Sequence, residues 1–126
     1  MQIFTPKNSF ADRVNFVDKN NVVVGYDLTQ DCCEHADWFI SETRRNDTGD
    51  DKKVYDNKDL EDYVFDKSCL CENIDSKDEE YSGVRFRLVN SEGKELFLHL
   101  FNVHNGYYSH GFDVKENDFV LSEGSL

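Results

Sequence analysis

Glu95-Leu96-Phe97-Leu98-His99-Leu100-Phe101-Asn102-Val103-His104 decides how this chain must fold. At a period of two, Leu96, Leu98, Leu100 and Asn102 fall on one face, and Phe97, His99, Phe101 and Val103 on the other. A strand apolar on both faces must be covered on both. The segment is therefore expected as a central strand, with a helix, a second sheet or a partner subunit against each side.

Just upstream, Val84, Phe86 and Leu88 alternate with Arg85 and Arg87, and Asn90-Ser91-Glu92-Gly93 supplies the turn into the central strand. Downstream, Asn105-Gly106 suits a two-residue type I′ hairpin, because that turn needs positive φ at both central residues. Such a loop sets His104 opposite Tyr107, Phe101 opposite His110 and His99 opposite Phe112. His99, His110, Phe112 and Val114 would then share the Phe97 face.

Further toward the N-terminus, Val14 and Phe16, then Val22, Val24, Tyr26 and Leu28, repeat every second residue around Asp18-Lys19-Asn20-Asn21, which predicts another hairpin. Two stretches fit either period. Ala36, Phe39, Ile40 and Thr43 fit a short helix capped by Asp31, but Trp38 and Ile40 fit a strand; Leu60, Tyr63 and Val64 fit a helix after Asn57, but Tyr63-Val64-Phe65 fits a strand. The expected fold is mainly β, with α+β as the alternative: a small antiparallel sheet or sandwich, one or two short helices and a C-terminal meander or hairpin. Residues 1–126 are read as a single domain with an acidic, loop-rich middle at 42–80.

Aromatic residues make up 13% of the chain, too much large apolar surface for a disordered acidic polymer. The start lacks a basic segment followed by an apolar one, and no apolar run spans a bilayer, so a cytoplasmic location with reduced thiols is expected. The net charge of −12 repels phosphate backbones and anionic lipid, so neither direct nucleic-acid binding nor membrane association is expected. Residues 42–80 carry fourteen acids and seven bases, a charge of −7 that suits a solvated surface or, alternatively, an acidic nucleic-acid mimic that occupies a basic host protein.

Gln30-Asp31-Cys32-Cys33-Glu34 and Asn105-Gly106-Tyr107-Tyr108-Ser109 resemble segments of a family of small uncharacterised proteins from bacteria and their phages. In that family a Q-D-C-C-E segment follows an early strand and an N-G-Y-Y-S segment joins the last two strands. The resemblance covers the two ends of the chain and not its charged middle. It implies a small β-rich fold and a phage or mobile-element setting, and it implies no reaction.

Among chemical groupings, Cys32, Cys33, His35, Cys69, Cys71, His99 and His110 offer enough thiolate and imidazole for a zinc ion. Their spacing argues for packing instead: the cysteines are adjacent or separated by Leu70 alone, whereas structural zinc pairs stand two to four residues apart. Alternation would put Cys69 and Cys71 on one strand face as small hydrophobes. A cysteine nucleophile would need Cys32 or Cys33 beside His99 or His110, which nothing local provides. No phosphate loop, H-E-x-x-H pair or G-x-S-x-G elbow occurs. No cofactor is therefore expected, with a zinc- or thiol-dependent site as an alternative. The favoured reading is a non-enzymatic protein-binding module, with self-association through a sheet face as an added expectation. Its contact residues would be Asp31, Glu34, Trp38, His104, Tyr107 and Tyr108, since aromatics near loop tips are available to a partner.

Overall fold

Asp18 shows how the N-terminal hairpin is built. Strands β2 (Arg13–Val17) and β3 (Val22–Asp27) pair antiparallel, and Asn21 closes the turn at a φ of 61°. The Asp18 carboxylate accepts the amides of Asn20 and Val22 through one oxygen and of Phe65 through the other, each at 2.9 Å. A carboxylate only 4% exposed is tolerated because three N–H donors replace its water.

The computed structural model describes residues 1–5, 13–29, 35–77, 79–103 and 109–126. Its other strands are β1 (Gln2–Phe4), β4 (His35–Ser41), β5 (Val64–Phe65), β6 (Glu72–Asn73), β7 (Tyr81–Val89), β8 (Glu95–Val103), β9 (Gly111–Glu116) and β10 (Phe119–Ser125). They form two antiparallel sheets, ordered β1-β2-β3-β9-β10 and β4-β8-β7-β5, with β6 also paired to β7. The fold is thus mainly β, with a meander at the C-terminal end.

The sheets face one another across an apolar core. Val14, Phe16, Val24, Tyr26, Phe112 and Val114 enter it from the first sheet, and Ala36, Ile40, Val84, Phe86, Leu88, Leu96, Leu98 and Leu100 from the second. Trp38 meets Phe16 edge-on at 5.0 Å, and Phe86 meets Phe112 at 6.4 Å. Each buried Val, Leu, Ile or Phe among them contributes about 1.5–3 kcal/mol of transfer free energy.

The other face of β8 is equally buried, but loops cover it. Phe39, Phe97, His99 and Phe101 are all at most 1% exposed. Phe39 and His99 are register partners whose rings stack at 4.3 Å, and Tyr81 stacks on Phe101 at 5.8 Å. The segment after β4 folds back over them. The Arg45 amide donates to His99 Nε2 at 3.1 Å, and the Tyr81 hydroxyl donates to the Asp47 carbonyl at 3.0 Å. Gly49, at a φ of +67°, lies so close to Phe39 that a Cβ there would stand 2.5 Å from the ring. The Arg44 and Arg45 guanidinium groups sit over Phe97 and Phe39 at 4.6 and 5.5 Å.

Both ambiguous stretches resolve against helix. Residues 35–41 run as β4 because β8 needs a hydrogen-bonded neighbour on that side, and Ala36, Trp38 and Ile40 then point inward together. Residues 57–62 form turns before β5, and the helical structure among the described residues is one 3-10 turn at Lys67–Cys69, capped by the Asp66 side chain.

The hairpin expected after β8 needs a larger correction. Both edges of β8 are already taken, by β4 and β7, so β9 has no place beside it and pairs with β3 and β10 in the opposite sheet. His99 does not face Phe112, nor Phe101 His110; Phe112 and Val114 enter the core from the first sheet. Residues 104–108, Asn105-Gly106 included, lie outside the described residues. A two-residue turn with positive φ at both centres does occur, at Asn117 (50°) and Asp118 (71°) between β9 and β10.

Candidate functional site

At one end of the sandwich, several strands stop side by side. Val103, the last residue of β8, is the register partner of both His35, where β4 begins, and Tyr81, where β7 begins. In the facing sheet, Arg13 opens β2 opposite Asp27, which ends β3, and Gly111 opens β9 opposite Ser125. The described residues flanking 30–34 and 104–108 therefore meet at this end.

Cross-sheet hydrogen bonds fix it. The Tyr26 hydroxyl donates to the Phe101 carbonyl at 2.8 Å, tying β3 to β8. The Asn102 side-chain amide donates to the Leu126 carbonyl at 3.1 Å, and Leu126 exchanges two backbone hydrogen bonds of 2.8 Å with His110. His110 in turn places Nδ1 2.8 Å from the Asp27 carbonyl. Arg13 and Asp113 pair at 2.7 Å beside a shallow cleft of about 480 Å³ that Asp27 and Glu123 also line. Buried polar groups bonded from one sheet to the other make this end a stiff mount for the connections that leave it.

The sequence-derived site residues divide sharply. Asp31, Cys32, Cys33, Glu34, His104, Tyr107 and Tyr108 lie outside the described residues. Trp38 points into the sandwich, half-buried against Phe16, which is a packing role. His35 is exposed beside Asp37 at 3.9 Å. Cys69 closes the 3-10 turn, its thiol 3.7 Å from Glu72. Cys71 follows at a φ of 61°, half-buried; burial pushes its thiol pKa up while a hydrogen bond with Ser122 opposes the rise. The expectation that these two cysteines share a strand face fails, because the chain turns between them.

His99 and His110 do not share a face either: one lies under the 42–53 cover of the second sheet and the other is bonded to Asp27 of the first. His99 is a poor acid or base. Burial first, and the Arg85 guanidinium next, push its pKa down to about 4, with the backbone of Phe39 and Phe97 opposing and Arg45 adding to the fall. Its Nε2 is taken by the Arg45 amide, and its Nδ1 has no aligned hydrogen-bond partner in the structure. Among the described residues, no group of three or more His, Cys, Asp or Glu side chains gathers to hold a metal, and no helix is long and apolar enough to cross a membrane.

Sequence reasoning missed the arginines. Arg85 alternates with core residues and reads as solvent-facing, yet it is buried, and its Nε stands 3.9 Å from Glu72 with no hydrogen-bond partner of its own. Arg44 and Arg45 read as loop charges, yet they cap aromatic rings and pair with Glu72, Asp47 and Asp51. Comparison with known proteins adds nothing to this picture: no family model, curated protein or solved structure matches the chain.

Proposed function

We propose that this chain is a non-enzymatic binding module whose contact surface is the end of the sandwich where β3 and β4, and β8 and β9, are connected. The observation that carries this reading is the register of Val103 with His35 and Tyr81, backed by the Tyr26, Asn102 and His110 cross-sheet bonds. Together these bring the feet of both sequence motifs to one stiff edge. Connections mounted on a rigid β-scaffold are a common way to hold recognition residues, because the scaffold bears the ordering cost. The partner is read as a protein, since Tyr107 and Tyr108 combine apolar area with a hydroxyl and the charge of −12 disfavours nucleic acid.

Four of the fourteen acids of 42–80 pair with arginines within the molecule, Asp47 and Asp51 with Arg45, Glu72 with Arg44 and Asp66 with Arg87. Those pairs and the seven bases interspersed in the same stretch dilute its negative field, which favours the end of the sandwich over the acidic surface as the contact region. A phage or mobile-element setting and self-association are further expectations of the sequence, and light scattering after size exclusion tests the latter.

The test compares capture of bacterial proteins by the full chain with capture by Tyr107→Ser/Tyr108→Ser and Asp31→Asn/Glu34→Gln variants. A Glu92→Gln variant at the far end of the sandwich serves as control. Loss of a captured band in the first two, with unchanged melting and an unaffected control, is the expected result. Equal capture by all four proteins sinks the reading.

A further inference from the structure

We propose that a second site, at the opposite end of the sandwich, binds a primary ammonium group carried on an aliphatic stem. A cleft of about 650 Å³ opens there, where β4 passes into Glu42 and β8 begins at Glu95 and Leu96. It lies eight residues of β8 from Val103, or about 26 Å. It is thus independent of the surface proposed above.

Its chemistry is that of a cation site. Two half-buried tyrosine rings, Tyr55 and Tyr63, line it together with the carboxylates of Glu42 and Asp59. A ring face and a carboxylate both attract an ammonium ion, and here two exposed carboxylates add to two half-buried rings. The carboxylates and rings are close enough to act together: burial first, then Glu42, Tyr63 and Asp59, push the Tyr55 phenol pKa up. The protein already places an alkylammonium in the cleft, since Lys53 Nζ stands 5.1 Å from the Tyr55 ring centroid. Lys53 is exposed, so its four-carbon stem can swing away. The other charges of the cleft are occupied elsewhere, Glu95 by Arg87 at 2.8 Å and Lys94 by Glu92 at 3.7 Å.

A stem also has somewhere to go. An apolar recess of about 60 Å³, lined by Trp38, Ile40 and the exposed Val54, shares Lys53 and Tyr55 with the cleft, so the methylenes next to an ammonium that replaces that of Lys53 can enter it and the rest of the stem can lie over Val54. The net charge of −12 concentrates such cations near the surface, and an anion of the same shape is repelled. The ammonium can belong to a free alkylamine or to a lysine side chain of another protein.

The experiment uses the full chain and follows the Tyr55 and Tyr63 ring resonances while titrating hexylammonium, hexanol or hexanoate at fixed ionic strength. Saturable shifts with hexylammonium alone are expected. Lys53→Met, which removes the internal occupant from an exposed position, should tighten binding at least threefold, and Glu42→Gln should weaken it by a similar factor. A parallel titration with Nα-acetyl-lysine methylamide separates the two sources: preference for it indicates a protein side chain, and preference for hexylammonium indicates a free amine. Equal shifts from hexanol and hexylammonium, unsaturable shifts spread over the acidic surface, or no gain in Lys53→Met would each overturn the proposal.

Discussion

The two faces of β8 are buried equally and by different means. Leu96, Leu98 and Leu100 meet another sheet, side chain against side chain, whereas Phe97, His99 and Phe101 are roofed by a charged segment held on by single hydrogen bonds, a glycine contact and arginines over rings. The first face carries no ionisable group from β8; the second encloses His99 and Arg85. Burial alone does not distinguish them. What differs is how cooperatively each cover is attached, because a sheet is released only by global unfolding and a roof of loops can open locally.

The largest expected effect is on the sheet-covered face. Leu98→Ala should lower global stability by about 2–5 kcal/mol in urea unfolding, the range for a large-to-small change in a well-packed core. Next comes pH. His99 titrates near its ordinary value when unfolded and at about 4 when folded, so as pH falls the unfolded chain takes up the proton first. Stability on this account is complete above pH 6.5 and is lost toward pH 4, by about 2 kcal/mol between pH 6.5 and 5. Urea midpoints of the protein and of His99→Leu at the two pH values check this, and the substitution should flatten the dependence. The carboxylates of Asp62 and Asp66, held low chiefly by hydrogen bonds from Ser91 and Ser68, titrate below that window.

Gly49→Ala is a smaller, local perturbation. It places a side chain at positive φ and against Phe39, and should cost about 1–2 kcal/mol, read as faster amide exchange within 42–53. Asp51→Asn removes one exposed partner of Arg45 while Asp47 remains, and its melting temperature should be indistinguishable from that of the unaltered protein.

Much of this architecture is legible in the sequence because strong alternation carries it. Leu96 to Val103 announces a two-faced central strand, and Asn21 and Gly93 announce their turns by residue type, with φ of 61° and 79° as those residues allow. The illegible parts depend on competition between distant segments. Asn105-Gly106 is an excellent local hairpin signal, but a hairpin there needs a free edge on β8, and whether β4 has claimed that edge depends on residues more than sixty positions away. Residues 35–41 fit two periods, and only the demand for a partner strand selects one. The candidate contact end is legible as two motifs but not as one place, since their adjacency comes from the His35–Val103 register. The Tyr55–Tyr63 cleft carries no motif, because its lining comes from residues 42 to 96 and is assembled by the fold.

The most direct test of a sheet-covered and a separately attached loop-covered face is exchange of the Arg45 amide, which donates to His99 Nε2. The expected result, after correction for intrinsic rates, is weaker protection than the Leu98 amide at pH 7 and a further loss relative to it by pH 5. An Arg45 amide as protected as that of Leu98 at both pH values would contradict the account.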